Sequence, residues 1–127
     1  MSSQLVTVTF STQNLDLMKE FYNALGANLQ VARVDKGSQM LRGQLGSLEL
    51  ILHSIVRPGE KQTPRVSLRF ELAGIDEIWK RVKTVPSANV ILDLENMPTG
   101  KSFVVIDPDG HSIEIFERWK DTADSKG

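Results

Sequence analysis

Ser47-Leu48-Glu49-Leu50-Ile51-Leu52 in the first half of the chain is matched by Ser112-Ile113-Glu114-Ile115-Phe116-Glu117 in the second. Ala27-Asn28-Leu29-Gln30-Val31 is likewise matched by Ala88-Asn89-Val90-Ile91-Leu92. The first pair is 65 positions apart and the second 61, close to half of the 127 residues. Two copies are too few for a solenoid, which stacks several units. They are typical of paired modules that face each other across a cleft, a common place for a ligand.

The composition excludes several classes of protein. The chain has 15 Lys+Arg and 16 Asp+Glu, and neither sign occurs in blocks. This balance argues against nucleic acid or an anionic membrane as a partner. There is no cysteine, which excludes disulfides, thiolate nucleophiles and iron–sulfur clusters. Since Met1–Gln4 shows no signal peptide and no long apolar run follows, we expect a soluble, cytoplasmic protein.

The first half predicts one strand, one helix and three further strands. Leu5–Ser11 alternates between apolar and polar residues, which is typical of a half-buried strand. Asn14 is a plausible helix N-cap and Gly26 a helix end, and between them lies an apolar stripe. The stripe consists of Leu15, Met18, Tyr22 and Leu25, and the strands that follow are Leu29–Val34, Gln39–Arg42 and Ser47–Ser54.

The second half repeats this order after the polar, proline-bracketed linker Arg57–Pro64. Arg65–Leu72 alternates as a strand, and a helical stripe follows it. Asp107–Gly110 is a strong turn signal between the last two strands. The stripe consists of Ile75, Ile78, Trp79 and Val82, and the later strands are Val90–Leu94, Ser102–Ile106 and Ser112–Glu117.

These patterns predict an α+β fold built as one domain over residues 1–127. Module 1 covers about 1–57, module 2 about 64–118, and the polar tail 119–127 is expected to fray. We expect two tandem βαβββ modules that form a curled mixed sheet around a cleft, with both helices outside. In this register Val6, Leu50, Leu68 and Ile113 lie under the helices.

The residues between these apolar positions then lie on the opposite face of each sheet. That face carries carboxylates, an arginine, a histidine, hydroxyls and two apolar side chains. They are Thr7, Thr9, Glu49, Ile51, His53, Ser67, Arg69, Glu114 and Phe116. This set is either solvated surface or the lining of a ligand pocket, and periodicity does not choose between the two.

Two segments resemble a known family. Leu15–Gly26, with Phe21-Tyr22-Asn23-Ala24-Leu25-Gly26, resembles the first helix of the vicinal oxygen chelate superfamily. That superfamily includes glyoxalases, bleomycin- and fosfomycin-resistance proteins and extradiol dioxygenases. Phe103–Glu114, which contains Asp107-Pro108-Asp109-Gly110-His111, is similar to its C-terminal hairpin motif. The resemblance covers almost the whole chain and agrees with the doubled strand–helix–strand–strand–strand order.

The resemblance implies where a metal would bind, with one ligand from the first and last strand of each module. The last-strand positions fall on Glu49 and Glu114, and the first-strand positions on Thr7 and Ser67. Zn²⁺, Ni²⁺ and Fe²⁺ favour imidazole, so two carboxylates and two hydroxyls form a poor site for them. We therefore expect no cofactor; a divalent metal, if bound, would be held by Glu49 and Glu114.

The other candidate residues have alternative roles. His53 is either a general base at a pocket rim or an exposed histidine. Arg69 either binds an anionic ligand or pairs with Glu49, Glu71 or Glu114. Glu49 and Glu114 could be an acid–base pair, hold a cationic ligand, or be neutralised by arginines.

The favoured hypothesis is a metal-independent small-molecule-binding protein of the glyoxalase/bleomycin-resistance type, with an unknown ligand. The alternative is a glyoxalase-like lyase or isomerase that uses Glu49 and Glu114 with or without a divalent metal. A third possibility is a module kept for dimerisation or regulation that has lost its pocket. We also expect a homodimer, since the superfamily commonly pairs modules across subunits and open sheets leave edges to cover.

Overall fold

The computed structural model describes residues 3–120, and the part of the predicted fraying tail from residue 121 onward lies outside them. Ten elements follow one another along the chain. They are β1 (Thr7–Thr12), α1 (Leu15–Leu25), β2 (Gln30–Asp35), β3 (Ser38–Leu45), β4 (Leu48–Ser54), β5 (Ser67–Glu71), α2 (Ile75–Val82), β6 (Asn89–Met97), β7 (Gly100–Ile106) and β8 (Ser112–Arg118). The predicted α+β class and the doubled βαβββ order are confirmed.

Helix α1 has the bounds that its sequence predicts. Asn14 occupies the N-cap position, although its side chain does not cap the helix and instead donates to Asp109. Gly26 ends the helix at φ 108°, a left-handed conformation that suits glycine. Its N–H donates to the carbonyl oxygens of Asn23 and Tyr22. Neither helix within residues 3–120 has the length and apolar character needed to cross a bilayer.

The strands form two four-stranded mixed sheets of identical topology. Their orders are β1-β4-β3-β2 and β5-β8-β7-β6. In each sheet the strand before the helix pairs in parallel with the last strand of its module, while the other pairs are antiparallel. A parallel pair needs a long crossover, which the helix and two intervening strands provide.

One hydrophobic core joins the two modules. The buried cluster includes Phe10, Leu50, Phe103 and Ile113, and therefore contains side chains of both sheets. Helices α1 and α2 contact each other, and the Arg81 Nε donates to the carbonyl oxygen of Ala24 over 2.9 Å. The two sheets stay separate and do not close around a cleft within the chain.

The predicted register is confirmed inside the strands. Leu50 and Ile113 are fully buried, and Leu68 is half-buried against the core. Val6 differs, since it precedes β1 and is 60% exposed. Because side chains alternate along a strand, the opposite face of each sheet points away from this common core.

Candidate functional site

The candidate residues lie on these outward sheet faces, which we call face 1 (on the β1-β4-β3-β2 sheet) and face 2 (on the β5-β8-β7-β6 sheet). Ile51 on face 1 and Phe116 on face 2 are buried, although neither belongs to the common core. Glu49 and Glu114 are half-buried, whereas Thr9 and Ser67 are exposed. Each face therefore has an apolar centre with polar groups around it.

On face 1, Glu49 is held by two partners. The parallel register places Thr7 level with Glu49, and the Thr7 hydroxyl donates to Glu49 Oε1 over 2.9 Å. The Arg42 Nε lies 2.9 Å from Glu49 Oε2. Arg42 comes from β3, the strand on the other side of β4, and pairs in register with Ile51. The carboxylate thus forms a hydrogen bond on one side and an ion pair on the other.

On face 2, Glu114 pairs with Arg69 at an Nε–Oε2 distance of 3.3 Å. The same guanidinium lies 4.3 Å from the centre of the Phe116 ring, a cation–π distance. Arg118 lies 5.5 Å from that ring on the same face and donates to Glu71. The Arg118 hydrogen bond lowers the pKa of the Glu71 carboxyl. Two arginines therefore flank the buried phenylalanine.

The two modules differ in register beside their glutamates. The sequence repeat suggested Ser67 as the partner of Glu114, as Thr7 is of Glu49. In the structure Ser67 lies level with Ser112, and Arg69 lies level with Glu114. Arg69 thus takes, beside Glu114, the place that Thr7 takes beside Glu49.

The donor set does not fit a transition-metal site. The first-strand positions beside the two glutamates hold a hydroxyl and a guanidinium, and each carboxylate already faces an arginine. A guanidinium is permanently protonated and cannot be a metal ligand. Within residues 3–120, no three His, Asp or Glu side chains are grouped where they could hold an ion. No hydrogen bond or ion pair in this part of the chain joins Glu49 to Glu114.

His53 lies at the far end of face 1 from Glu49 and lines a cavity of about 210 Å³. Its side chain is half-buried. The other histidine, His111, is fully buried away from both faces.

Sequence reasoning missed Arg42 and Arg118. Arg42 lies in a strand where Met40 and Leu41 are adjacent apolar residues, so alternation does not show which face Arg42 occupies. Arg118 follows the predicted end of the last strand, although extending the alternation of Glu114 and Phe116 by two residues places it on face 2.

Comparison with solved structures identifies the fold. TioX from Micromonospora sp. ML1 is 15% identical with a TM-score of 0.69, over 91% of this chain and 99% of its own. A glyoxylase/bleomycin resistance protein/dioxygenase domain from Frankia sp. EAN1pec is 16% identical with a TM-score of 0.64, over 93% and 99%. Lactoylglutathione lyase from Agrobacterium tumefaciens is 20% identical with a TM-score of 0.60, over 91% and 94%.

The chain therefore has the fold of glyoxalase/bleomycin-resistance/dioxygenase domains, which confirms the fold implied by the helix and hairpin motifs. No protein-family profile matches the sequence, and a search of curated proteins finds no relative.

Proposed function

We propose that this chain is a small-molecule-binding protein of the glyoxalase/bleomycin-resistance type that works without a metal. The observation that carries the proposal is the arginine beside each glutamate. Arg69 lies level with Glu114, and Arg42 pairs with Glu49. These guanidiniums take up the negative charge that would otherwise attract a cation.

The two faces offer complementary groups to an organic ligand. The exposed guanidiniums of Arg42 and Arg69 and the half-buried carboxylates of Glu49 and Glu114 provide charged groups, while the buried Ile51 and Phe116 form the apolar base beneath them. The ion pairs at Glu49 and Glu114 are about half-exposed, so their hydrogen bonds can be exchanged for those of a ligand at little cost. The fold likeness to ligand-handling proteins is consistent with this role.

We further propose that a second copy completes the site. Both faces point away from the common core, so within one chain Glu49 and Glu114 do not face each other. A homodimer with twofold symmetry can bring face 1 of one copy against face 2 of the other, twice. This arrangement would enclose a cleft in which Glu49 of one copy faces Glu114 of the other.

The proposal predicts that the protein purifies without a bound metal. Protein prepared without chelators would be analysed for metal content, and its melting temperature measured with added Zn²⁺, Ni²⁺, Mn²⁺ and Mg²⁺. We expect substoichiometric metal and no stabilisation, since an ion that binds only the folded state would raise the melting temperature. A stoichiometric, tightly held ion would overturn the proposal and favour the lyase or isomerase alternative.

The second test is the pair of charge-neutral substitutions Glu49→Gln and Glu114→Gln. We expect the double variant to lose binding of a ligand found in a thermal-shift screen, with little change in melting temperature. Half-exposed ion pairs contribute about 0–1 kcal/mol, so the free energy of unfolding should change little. Glu77→Gln is the control, because Glu77 forms an exposed ion pair with Lys80 on helix α2, away from both faces. Undiminished binding in the double variant would place the ligand elsewhere.

A further inference from the structure

The cavity at the His53 end of face 1 is built from two sides. Its floor is a row across three neighbouring strands, in which His53 pairs in register with Met40 and Met40 with Arg33. Its wall is the segment that follows β4, through Val56, Arg57 and Glu60. The cavity of about 210 Å³ is therefore continuous with the proposed ligand-binding face.

The wall is held in place by hydrogen bonds. Glu60 Oε1 accepts the backbone N–H of Arg57 over 2.8 Å and that of Val56 over 3.2 Å. These backbone hydrogen bonds lower the pKa of the Glu60 carboxyl, so it stays ionised at neutral pH. Farther along the linker, the Thr63 N–H donates to the carbonyl oxygen of Ser11. The position of Arg57 is thus set by a local turn.

Two arginines of this cavity form no ion pair in the described part of the chain, although, beyond the backbone hydrogen bonds, the charge of Arg57 helps to lower the pKa of the nearby Glu60 carboxyl. Arg42, Arg69 and Arg118 each form an ion pair, whereas the guanidinium of neither Arg33 nor Arg57 takes part in an ion pair or hydrogen bond within residues 3–120. The lining acids are Asp35 and Glu60, and one Glu60 oxygen is already engaged by the backbone. A planar guanidinium matches the two oxygens of a carboxylate in geometry as well as charge.

We propose that this cavity is a subsite for the carboxylate group of the ligand, bound by Arg33 and Arg57. The inference rests on the proposed ligand-binding function of face 1 and adds the chemical class of the ligand. Whole ligands usually occupy about 300–1,000 Å³, so a cavity of about 210 Å³ holds one group of a larger molecule. The rest of the ligand lies along face 1 toward Ile51, with His53 and Met40 at the junction.

Benzoate and its neutral counterpart benzamide test the subsite directly. Each is titrated into ¹⁵N-labelled protein, and chemical shifts of backbone amides are followed. We expect benzoate to shift the amides of Met40, His53 and Arg57 and benzamide to leave them almost unchanged. Arg33→Gln and Arg57→Gln should each weaken benzoate binding about tenfold, the loss of one charged hydrogen-bond pair.

The control is Lys61→Gln, which removes one positive charge from the same exposed linker without touching the cavity lining. It should bind benzoate as the parent chain does. Arg57→Lys keeps the charge and loses the planar fork, so it should bind with intermediate affinity, and overlaid amide spectra show whether each variant is folded. Equal binding by the parent chain and the two Gln variants would overturn the subsite, as would binding of inorganic phosphate without benzoate.

The same titration in the Glu49→Gln/Glu114→Gln variant separates this proposal from the proposed function. Benzoate should still bind there, because the cavity uses neither glutamate. Benzoate could fail to bind the parent chain and every variant while Glu49 and Glu114 remain necessary for binding of the ligand from the thermal-shift screen. That result would overturn only the carboxylate subsite.

Discussion

At the residue scale, the Asp107 carboxylate is held by three hydrogen bonds. The buried Tyr22 hydroxyl donates to its Oδ2 over 2.5 Å. Its Oδ1 accepts the N–H groups of Asp109 and His111, both at 2.9 Å. The His111 ring stacks on Phe10 at 4.3 Å, and its Nδ1 accepts the Val66 N–H. The turn that sequence reasoning treated as a hairpin connection therefore fastens module 2 to the helix of module 1.

Tyr22→Phe should destabilise the protein by about 1.5–3 kcal/mol, the contribution of a hydrogen bond to a charged group. The loss should be smaller in an Asp107→Asn background, since the acceptor there is neutral, and a double-mutant cycle from chemical denaturation measures the difference. Equal losses in both backgrounds would show that the charge of Asp107 adds nothing to the contribution of the Tyr22 hydroxyl.

The buried pair also predicts a pH dependence. Burial, followed by the charge of Asp107, raises the pKa of Tyr22 well above 10.0. The stability that comes from a raised pKa is present below the unfolded value and lost as pH rises through the folded one. The free energy of unfolding should therefore fall above about pH 10, and Tyr22→Phe should flatten that fall. Tyr22 is the single tyrosine of the chain, so difference absorbance of tyrosinate follows it directly.

The pKa of the Asp107 carboxyl is also raised, so its contribution to stability also falls as the pH rises, but in the acidic range. Burial raises its pKa from 3.8, against the lowering effect of its hydrogen bonds. Its contribution is therefore present below about pH 3.8 and lost as pH rises through the raised value, unlike that of a salt-bridged carboxylate.

At the element scale, helix α2 depends on a residue from another strand. Its N-cap is Gly74, which has no side chain to accept a hydrogen bond. Glu117 of β8 supplies the acceptor, and the Ile75 N–H donates to Glu117 Oε1 over 2.9 Å. A carboxylate at this end also complements the helix dipole. The start of the helix is therefore set by tertiary structure.

Glu117→Ala should cost about 1 kcal/mol, as the loss of a helix cap does. Glu117→Gln is the matched control, since its amide oxygen can still accept the Ile75 N–H and only the charge is lost. We expect urea midpoints in the order parent, Gln, Ala. A Gln variant as unstable as the Ala variant would mean that the charge, rather than the hydrogen bond, supports the helix.

The bounds of helix α1 were predictable from sequence, whereas the start of α2 and the side-chain pairings of the site were not. The bounds of α1 follow from Asn14 and Gly26, which are local signals. The partner of Glu114 depends on the register in which β5 pairs with β8, and a helix and two strands separate these strands along the chain. Shifting β5 by two residues along β8 keeps the same apolar side chains on each face of the sheet. Ser67 and Arg69 therefore satisfy the alternation equally well, and only the folded register selects Arg69.

At the scale of the whole molecule, faces 1 and 2 both point outward from a shared core. The outer strands β2 and β6 also expose apolar side chains, among them Val34 at 63% and Ile91 at 53%. Exposed strand edges and apolar surface are normally covered in a stable protein. This arrangement agrees with the proposed homodimer, and sedimentation showing a monomer at micromolar concentration would contradict it.

A mixing experiment distinguishes a cleft between two copies from a cleft within one chain. The Glu49→Gln and Glu114→Gln proteins, each of which we expect to bind no ligand, are unfolded and refolded together. Across a twofold dimer, mixed pairs contain one cleft with both glutamates, so about a quarter of the binding capacity should return. If the cleft lies within one chain, mixing restores nothing.

Because the two modules share one core, the fold should survive a break in the chain between them. Neither half buries its helix alone, since α1 and α2 contact each other and Tyr22 binds the turn of the other module. A protease cut at the exposed Gly59 should therefore leave two fragments that remain associated as a noncovalent complex. Expressed separately, each fragment should be poorly folded, and mixing should reconstitute the native circular dichroism spectrum.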